Sequence, residues 1–190
     1  MGKVELRRQL QGTLAGIPDE QRSEMSKKIC QNLIATDQFR RASVVMCFLS
    51  LPTEIDTAPI ILHAWQQGKI VTVPKVSWQQ RHMIPIEINS LEIGLATGTF
   101  GLKNPTAGIP TPFEEIDLVV TPGIGFAENG DRLGRGGGYY DRFFTSDRLK
   151  AVKCGIAFSQ QILDTVPTEA HDQQLDLIVT DKGVTICQPD

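Results

Sequence analysis

Between Thr121 and Phe144 the chain carries Pro122-Gly-Ile-Gly-Phe126 and then Arg132-Leu-Gly-Arg-Gly-Gly-Gly-Tyr-Tyr-Asp-Arg142. Gly134, Gly136, Gly137 and Gly138 have no Cβ, so their backbone is free to take positive φ, to approach a ligand closely, and to turn several N–H groups on one anion. Arg132, Arg135 and Arg142 add guanidinium forks that match phosphate oxygens, which a flexible linker would not need. The stretch therefore predicts a phosphate cradle. It is not a P-loop, because no Gly-Lys-Ser/Thr closes it, and its glycines do not have the spacing of a dinucleotide fingerprint.

The elements around the cradle must hold it in place. The apolar run Asp117 to Thr121 predicts a buried strand ended by Pro122-Gly123, and Tyr139 to Phe144 predicts a helix whose first N–H groups face the same anion. From Lys3 to Leu14, the leucines at 6, 10 and 14 fall on one helical face, which places Lys3 and Arg7 together on another. Gly16-Ile-Pro18 breaks that pattern. A second helix is expected from Asp19 to Ala35, with Met25, Ile29 and Leu33 as its apolar stripe and Asp19, Glu20 and Glu24 near its N-terminal end.

Ser43 to Leu49 is an apolar run suited to a strand covered on both faces. The loop after it holds Glu54 and Asp56, and loops at the carboxyl ends of parallel strands carry ligands, so both are candidates; Asp56 or Thr57 could equally cap the helix that follows. That helix runs from Pro59 to a stop at Gly68, and Lys69 to Val73 completes a βαβ unit. His82 to Ile88 reads as an edge strand, because Pro85 cannot donate to a ladder. Residues 94–111, rich in Gly, Pro and Thr, read as a surface excursion. Ala151 to Phe158, Asp176 to Asp181 and Val184 to Cys187 are further strands. Alternating strands and helices predict a three-layer α/β/α sandwich with a mainly parallel sheet, in a single domain over 1–190.

The chain is 41% hydrophobic and 22% charged, with a formal net charge of −3. Neither the charge nor the scatter of the cations favours nucleic-acid binding. The four cysteines, Cys30, Cys47, Cys154 and Cys187, have no metal-ligand spacing and read as buried free thiols of a reducing compartment. The start of the chain has no apolar signal region and no run is long enough for a membrane span, so the expectation is a cytoplasmic protein with no membrane association and no obligate protein partner. The three histidines, His63, His82 and His171, fall in different elements and form no cluster.

With these residues in hand, the chain resembles the 5-formyltetrahydrofolate cyclo-ligases, also called 5,10-methenyltetrahydrofolate synthetases. The resemblance rests on Lys3-x-x-x-Arg7, on Glu54-Ile-Asp-Thr57, on the two motifs quoted between 122 and 142, and on His171-Asp172 with Asp176-Leu-Ile-Val-Thr180, so it spans nearly the whole chain. It implies an ATP- and Mg²⁺-dependent ring closure of 5-formyltetrahydrofolate to 5,10-methenyltetrahydrofolate, with ADP and phosphate as the other products. It implies ATP contacts from Lys3, Arg7, Arg132, Leu133, Gly134, Arg135, Gly136, Gly137, Gly138, Tyr139 and Tyr140. It implies folate contacts from Leu49, Glu54, Arg135, Gly136, Gly137, Gly138 and Tyr139, with Arg135 and Tyr139 as catalytic residues. Asp141 and Asp172 match its metal positions, while Asp176 reads as structural.

This chain departs from the resemblance in two places: Asn104-Pro105 stands where many members have Glu-Pro, and Gly137 where some have lysine. Two other readings stand beside it. One is a non-catalytic folate- or nucleotide-binding paralogue; the other is sugar-phosphate isomerase chemistry, which needs a positioned base that the sequence does not present.

Overall fold

The computed structural model describes residues 2–98, 101 and 103–188. The chain opens with α1 (Lys3–Ala15), α2 (Asp19–Ile34) and the short α3 (Asp37–Arg41). The sequence pattern anticipates the first two within a residue or so. It misses α3, whose five residues are too few to show a period; its start is fixed by Thr36, whose hydroxyl accepts from Phe39 N at 3.1 Å.

β1 (Val44–Cys47), α4 (Ala58–Gln66) and β2 (Ile70–Ser77) form the expected βαβ unit, with Val45 opposite Val71 in parallel register. Gly68 ends α4 in the left-handed region at φ +71°, and Lys69 N returns to Ala64 O at 3.0 Å. β3 (His82–Ile88) pairs antiparallel with β2 at the sheet edge, with Pro74 and Pro85 directly opposite, as a strand holding a proline requires. The excursion from 94 to 111 contains a two-stranded ladder, β4 (Leu95–Thr97) with β5 (Lys103–Pro105); residues 99, 100 and 102 of it lie outside the described set. Its return covers the outer edge of β3, where Glu87 N donates to Ile109 O at 3.1 Å.

After β6 (Leu118–Thr121) the sequence reading needs correction. The strand does not run straight into the glycine loop. A tight hairpin intervenes, β7 (Gly125–Ala127) with β8 (Arg132–Leu133), and the loop leaves from β8. Strands of two and three residues give no readable alternation. The helix after the loop, α5 (Tyr139–Phe144), has only six residues. β9 (Val152–Ala157), β10 (Ile162–Leu163), β11 (Leu177–Thr180) and β12 (Gly183–Ile186) complete the chain, and β10 joins β7 and β8 in a small second sheet.

The main sheet has the order β12-β11-β9-β6-β1-β2-β3, parallel from β11 to β2 with one antiparallel strand at each edge. Alternate side chains of each strand enter two different cores, as the pleat dictates. Val45, Cys47, Val120 and Ile156 face α2, α3 and α4 in one. Val44, Met46, Val119 and Ala157 meet Phe126, Phe143 and Phe144 in the other. This is the three-layer α/β sandwich that the sequence predicts. Asp117 and Asp176 fasten the strand starts: Asp117 Oδ2 accepts from Ser43 N and Val44 N at 2.7 and 3.0 Å, and Asp176 Oδ2 from Lys153 N at 2.6 Å.

All four cysteines are free and buried. Burial, with lesser help from the Asp56 charge, pushes the Cys30 thiol up to about 12; burial and Asp176 push Cys187 up to about 11, and Cys47 and Cys154 rise further still. All therefore stay protonated and unreactive near neutral pH. Among the described residues, no helix is long and apolar enough to cross a membrane.

Candidate active site

A third, smaller cluster decides where the chemistry sits. Leu6 and Leu10 of α1 are buried with Ile124, Ala127 and Leu133 of the β7–β8 hairpin. The sequence pattern puts Lys3 and Arg7 on a separate face, but at about 100° per residue they lie beside Leu6 and Leu10 on one side of α1. Docking the leucines on the hairpin therefore brings both cations to the glycine loop, where Arg7 Nε donates to Gly134 O at 2.8 Å. The i, i+4 spacing of the two cations is thus converted into one wall of a cleft.

The cleft has a volume of about 840 Å³, within the range of small-molecule sites. It brings together every residue that the sequence resemblance assigns: Lys3 and Arg7; Leu49 and Glu54; the run Arg132, Leu133, Gly134, Arg135, Gly136, Gly137, Gly138, Tyr139, Tyr140, Asp141; and Asp172. Asp56 does not line it; its carboxylate accepts from Ala58 N at 3.0 Å, so the capping alternative is the one found. Sequence reasoning missed the apolar side of the cleft, to which Phe48, Pro74, Val76, Trp78 and Met83 contribute. Their only signal was a place in, or just past the end of, strands beside the loop, and an apolar residue there reads first as core.

The loop's shape depends on two glycines in the left-handed region, Gly136 at φ +100° and Gly138 at φ +64°, which a side chain would strain. Gly138 is also the residue from which α5 starts, so the loop turns directly into that helix.

Three ion pairs cross the cleft, each joining a cation of α1 or the loop to a carboxylate from elsewhere. Arg132 Nη2 meets Asp141 Oδ1 at 2.9 Å; its side chain is only 4% exposed, and its guanidinium also lies 5.6 Å from the centre of the Tyr140 ring. Arg135 sets two nitrogens on Glu54 Oε1, at 3.0 and 2.7 Å, while Glu54 Oε2 accepts from Leu51 N at 2.9 Å. Lys3 Nζ pairs with Asp172 Oδ2 and lies 3.3 Å from Glu169 Oε1. Among the described residues no carboxylate pairs with Arg7, so its charge faces the cleft uncompensated. Among the described residues the buried Tyr140 hydroxyl has no hydrogen-bond partner, and burial pushes its pKa well up, so it is a phenol and not a phenolate. Arg142 needs correction as a phosphate fork. It is not among the residues that line the cleft, and it donates instead to the carbonyls of Arg81 and Gly137.

Burial acts to raise the Asp172 carboxyl, but the hydrogen bonds from Lys3 and Glu169 N, with the charges of Lys3 and His171, outweigh it and hold the group below its ordinary value. A carboxyl depressed by folding contributes stability above its unfolded pKa, and loses it as pH falls through the folded one. Asp172→Asn is therefore expected to lower the melting temperature by a few degrees near neutral pH, from an ion pair worth on the order of 1 kcal/mol. The gap between variant and wild type should close in strong acid. Melting curves from pH 7 to pH 2, without nucleotide or metal, test this; a gap that widens on acidification overturns the assignment.

Asp141 and Asp172 adjoin one another, with Gln173 N 3.4 Å from Asp141 Oδ1. Each meets its cation through one carboxylate oxygen, Oδ1 in Asp141 and Oδ2 in Asp172. Among the described residues no three His, Cys, Asp or Glu side chains converge as a metal cage. Two carboxylates beside a glycine loop are a donor set of the kind Mg²⁺ takes when phosphates and water would supply its remaining ligands.

The chain matches the model of the 5-formyltetrahydrofolate cyclo-ligase family over residues 1–181. It belongs to that family. The mouse 5-formyltetrahydrofolate cyclo-ligase is 32% identical over 186 residues, covering 92% of this chain and 91% of the mouse protein. The Escherichia coli K12 enzyme of the same name is 28% identical over 169 residues, covering 87% and 92%. The structure of Aquifex aeolicus 5,10-methenyltetrahydrofolate synthetase superposes with a TM-score of 0.86 at 30% identity, covering all of this chain and 95% of that one. That of the Mycoplasma pneumoniae synthetase gives 0.76 at 25% identity, covering 95% and 99%. The chain is accordingly an enzyme of the cyclo-ligase family. Asn104, one of the two departures from the resemblance, lies outside the cleft lining; its side-chain oxygen accepts from Val76 N at 3.0 Å and fastens β5 to β2.

Proposed function

We propose that the chain converts 5-formyltetrahydrofolate to 5,10-methenyltetrahydrofolate at the expense of ATP, with Asp141 and Asp172 as the Mg²⁺ ligands and ADP and phosphate as products. The observation that supports this is the convergence, in one cleft, of a glycine loop, the cations of α1 and two adjacent carboxylates beside a largely apolar wall. Anionic phosphates and a flat folate ring system need those two kinds of surface.

The formyl oxygen attacks the γ-phosphorus and ADP leaves. N10 then attacks the activated formyl carbon, the C–O bond breaks, and phosphate departs with the former formyl oxygen while N10 gives up its proton. Positioning and charge neutralisation do most of this work, so no strong protein base is required. Lys3, Arg7 and the loop from Arg132 to Tyr140 hold the nucleotide. Arg135 and Tyr139 act where the two substrates meet: the guanidinium faces the charge that develops on the transferring phosphoryl group, and the phenol donates a hydrogen bond. Glu54, once Arg135 turns to phosphate, accepts from pterin N–H groups, and Leu49 packs beside it. Mg²⁺, when bound, offsets the phosphate charge.

Mixing the protein with 5-formyltetrahydrofolate, ATP and Mg²⁺ should raise absorbance in the methenyl-folate band, and omission of any one of the three should abolish the rise. Folate binding by folded protein without any rise would overturn the reaction and favour a binding paralogue.

A further inference from the structure

Among the described residues, five lysines and arginines line the cleft. Lys3, Arg132 and Arg135 are held by carboxylates, and Arg7 Nε rests on Gly134 O. All four belong to α1 or to β8 and the glycine loop. The fifth, Lys103, comes from elsewhere, and among the described residues its ammonium meets no carboxylate and no hydrogen-bond acceptor.

The fold puts this cation on the apolar side of the cleft. β1 pairs with β2 only as far as Thr72, and beyond that point β5 comes alongside, with Asn104 Oδ1 taking Val76 N at 3.0 Å. β5 is braced in turn by β4, where Thr97 stands opposite Lys103. Pro105 is buried, Lys103 is exposed, and Lys103 shares the cleft lining with Pro74, Val76 and Met83. An unpaired ammonium thus stands at the open rim of an apolar wall.

The two substrates divide these charges between them. The triphosphate of ATP has the cations of α1 and the loop. 5-Formyltetrahydrofolate carries its own anions at the end away from the pterin, as the two carboxylates of its glutamate, joined through a flat aminobenzoyl group. With the pterin at Glu54 and the aminobenzoyl group along the wall, the glutamate comes out at the rim. Lysine, a point charge on a flexible stem, suits a carboxylate on a rotatable chain.

We propose that Lys103 pairs with the glutamate carboxylates of the folate and so selects for substrates with an acidic tail; this rests on the cyclo-ligase reading of the cleft. Lys103→Gln, which removes the charge and keeps most of the stem, is expected to raise KM for 5-formyltetrahydrofolate about threefold to fivefold in low salt, the upper range for one solvent-exposed ion pair. KM for ATP and kcat should stay within about twofold, and Lys103→Arg should behave as wild type. The ratio of the two KM values should approach one in about 1 M salt, where screening reaches to within about 3 Å. A purely structural role would not respond to salt in this way.

The decisive comparison changes the ligand. In the diamide of 5-formyltetrahydrofolate both glutamate carboxylates become carboxamides, so wild type and Lys103→Gln should bind it equally. Calorimetric titration of both proteins with the folate and with its diamide, beside a non-hydrolysable ATP analogue, reads this without turnover. An equal penalty for folate and diamide overturns the proposal, as does a penalty that falls on the ATP analogue, which would make Lys103 a phosphate cation. Equal affinities of the two proteins for the folate overturn it too, and leave the reaction standing. A charge-dependent difference in protein that forms no methenyl product would sink the reaction and leave the role of Lys103 in place.

Discussion

Arg132→Ala is expected to cost the protein about 3–5 kcal/mol and to lower its melting temperature by on the order of 10 °C, in addition to removing its activity. The cost comes from what stays behind. Arg132 is 4% exposed and Asp141 13%, so deleting the cation strands a mostly buried carboxylate. The Tyr140 ring loses the guanidinium beside it, and the loop loses its anchor, since Arg132 Nη1 also donates to Pro122 O at 3.3 Å. A double variant separates the parts: Arg132→Met with Asp141→Leu removes both charges and fills the space, which for buried pairs is often neutral or stabilising. It should regain most of the melting temperature without regaining turnover. Calorimetry and the methenyl assay on the three proteins decide this; an Arg132→Ala melting point within two degrees of wild type would refute the anchoring role.

Much of the fold could be read from the sequence because its long elements carry strong periods. Leu6 and Leu10 announce the buried face of α1, and the apolar run from Ser43 to Leu49 suits a doubly covered strand, found at Val44–Cys47. What escaped was short. The hairpin of β7 and β8 is too brief to alternate, yet it supplies the surface on which α1 docks and from which the glycine loop leaves. Of the polar half, the glycine loop with Arg132 and Arg135 was legible from residue types, because glycines and arginines at this density have few other uses; Lys3, Arg7, Asp141 and Asp172 entered only through the family resemblance. The apolar half was not, because Phe48 and Met83 look the same whether they line a core or a cleft. Arg142 was misjudged for a related reason: a guanidinium that bonds carbonyls reads, in a sequence, like one that bonds phosphate.

Arg135→Ala should show the opposite profile to Arg132→Ala, although the two arginines are only three residues apart, one in β8 and the other in the loop that leaves it. Arg135 is 46% exposed, and a pair as open as the one it makes with Glu54 is worth about 0–1 kcal/mol, so the melting temperature should hardly move. Turnover should fall by about 10²–10³ in kcat/KM, the scale for removing one preorganised donor from a developing negative charge. Arg135→Lys keeps the charge but loses the planar fork that now sets two nitrogens on one Glu54 oxygen, so it should recover only part of the rate. Glu54→Gln adds the control. It frees Arg135 while replacing the anionic acceptor for pterin N–H groups, so its penalty should fall on KM for the folate and leave KM for ATP unchanged. A melting-point loss in Arg135→Ala comparable to that in Arg132→Ala would make Arg135 a structural residue. Near-wild-type turnover would remove it from the catalytic set, because a cation that bridges the cleft in the free protein acts in catalysis only if the phosphoryl group takes it from Glu54.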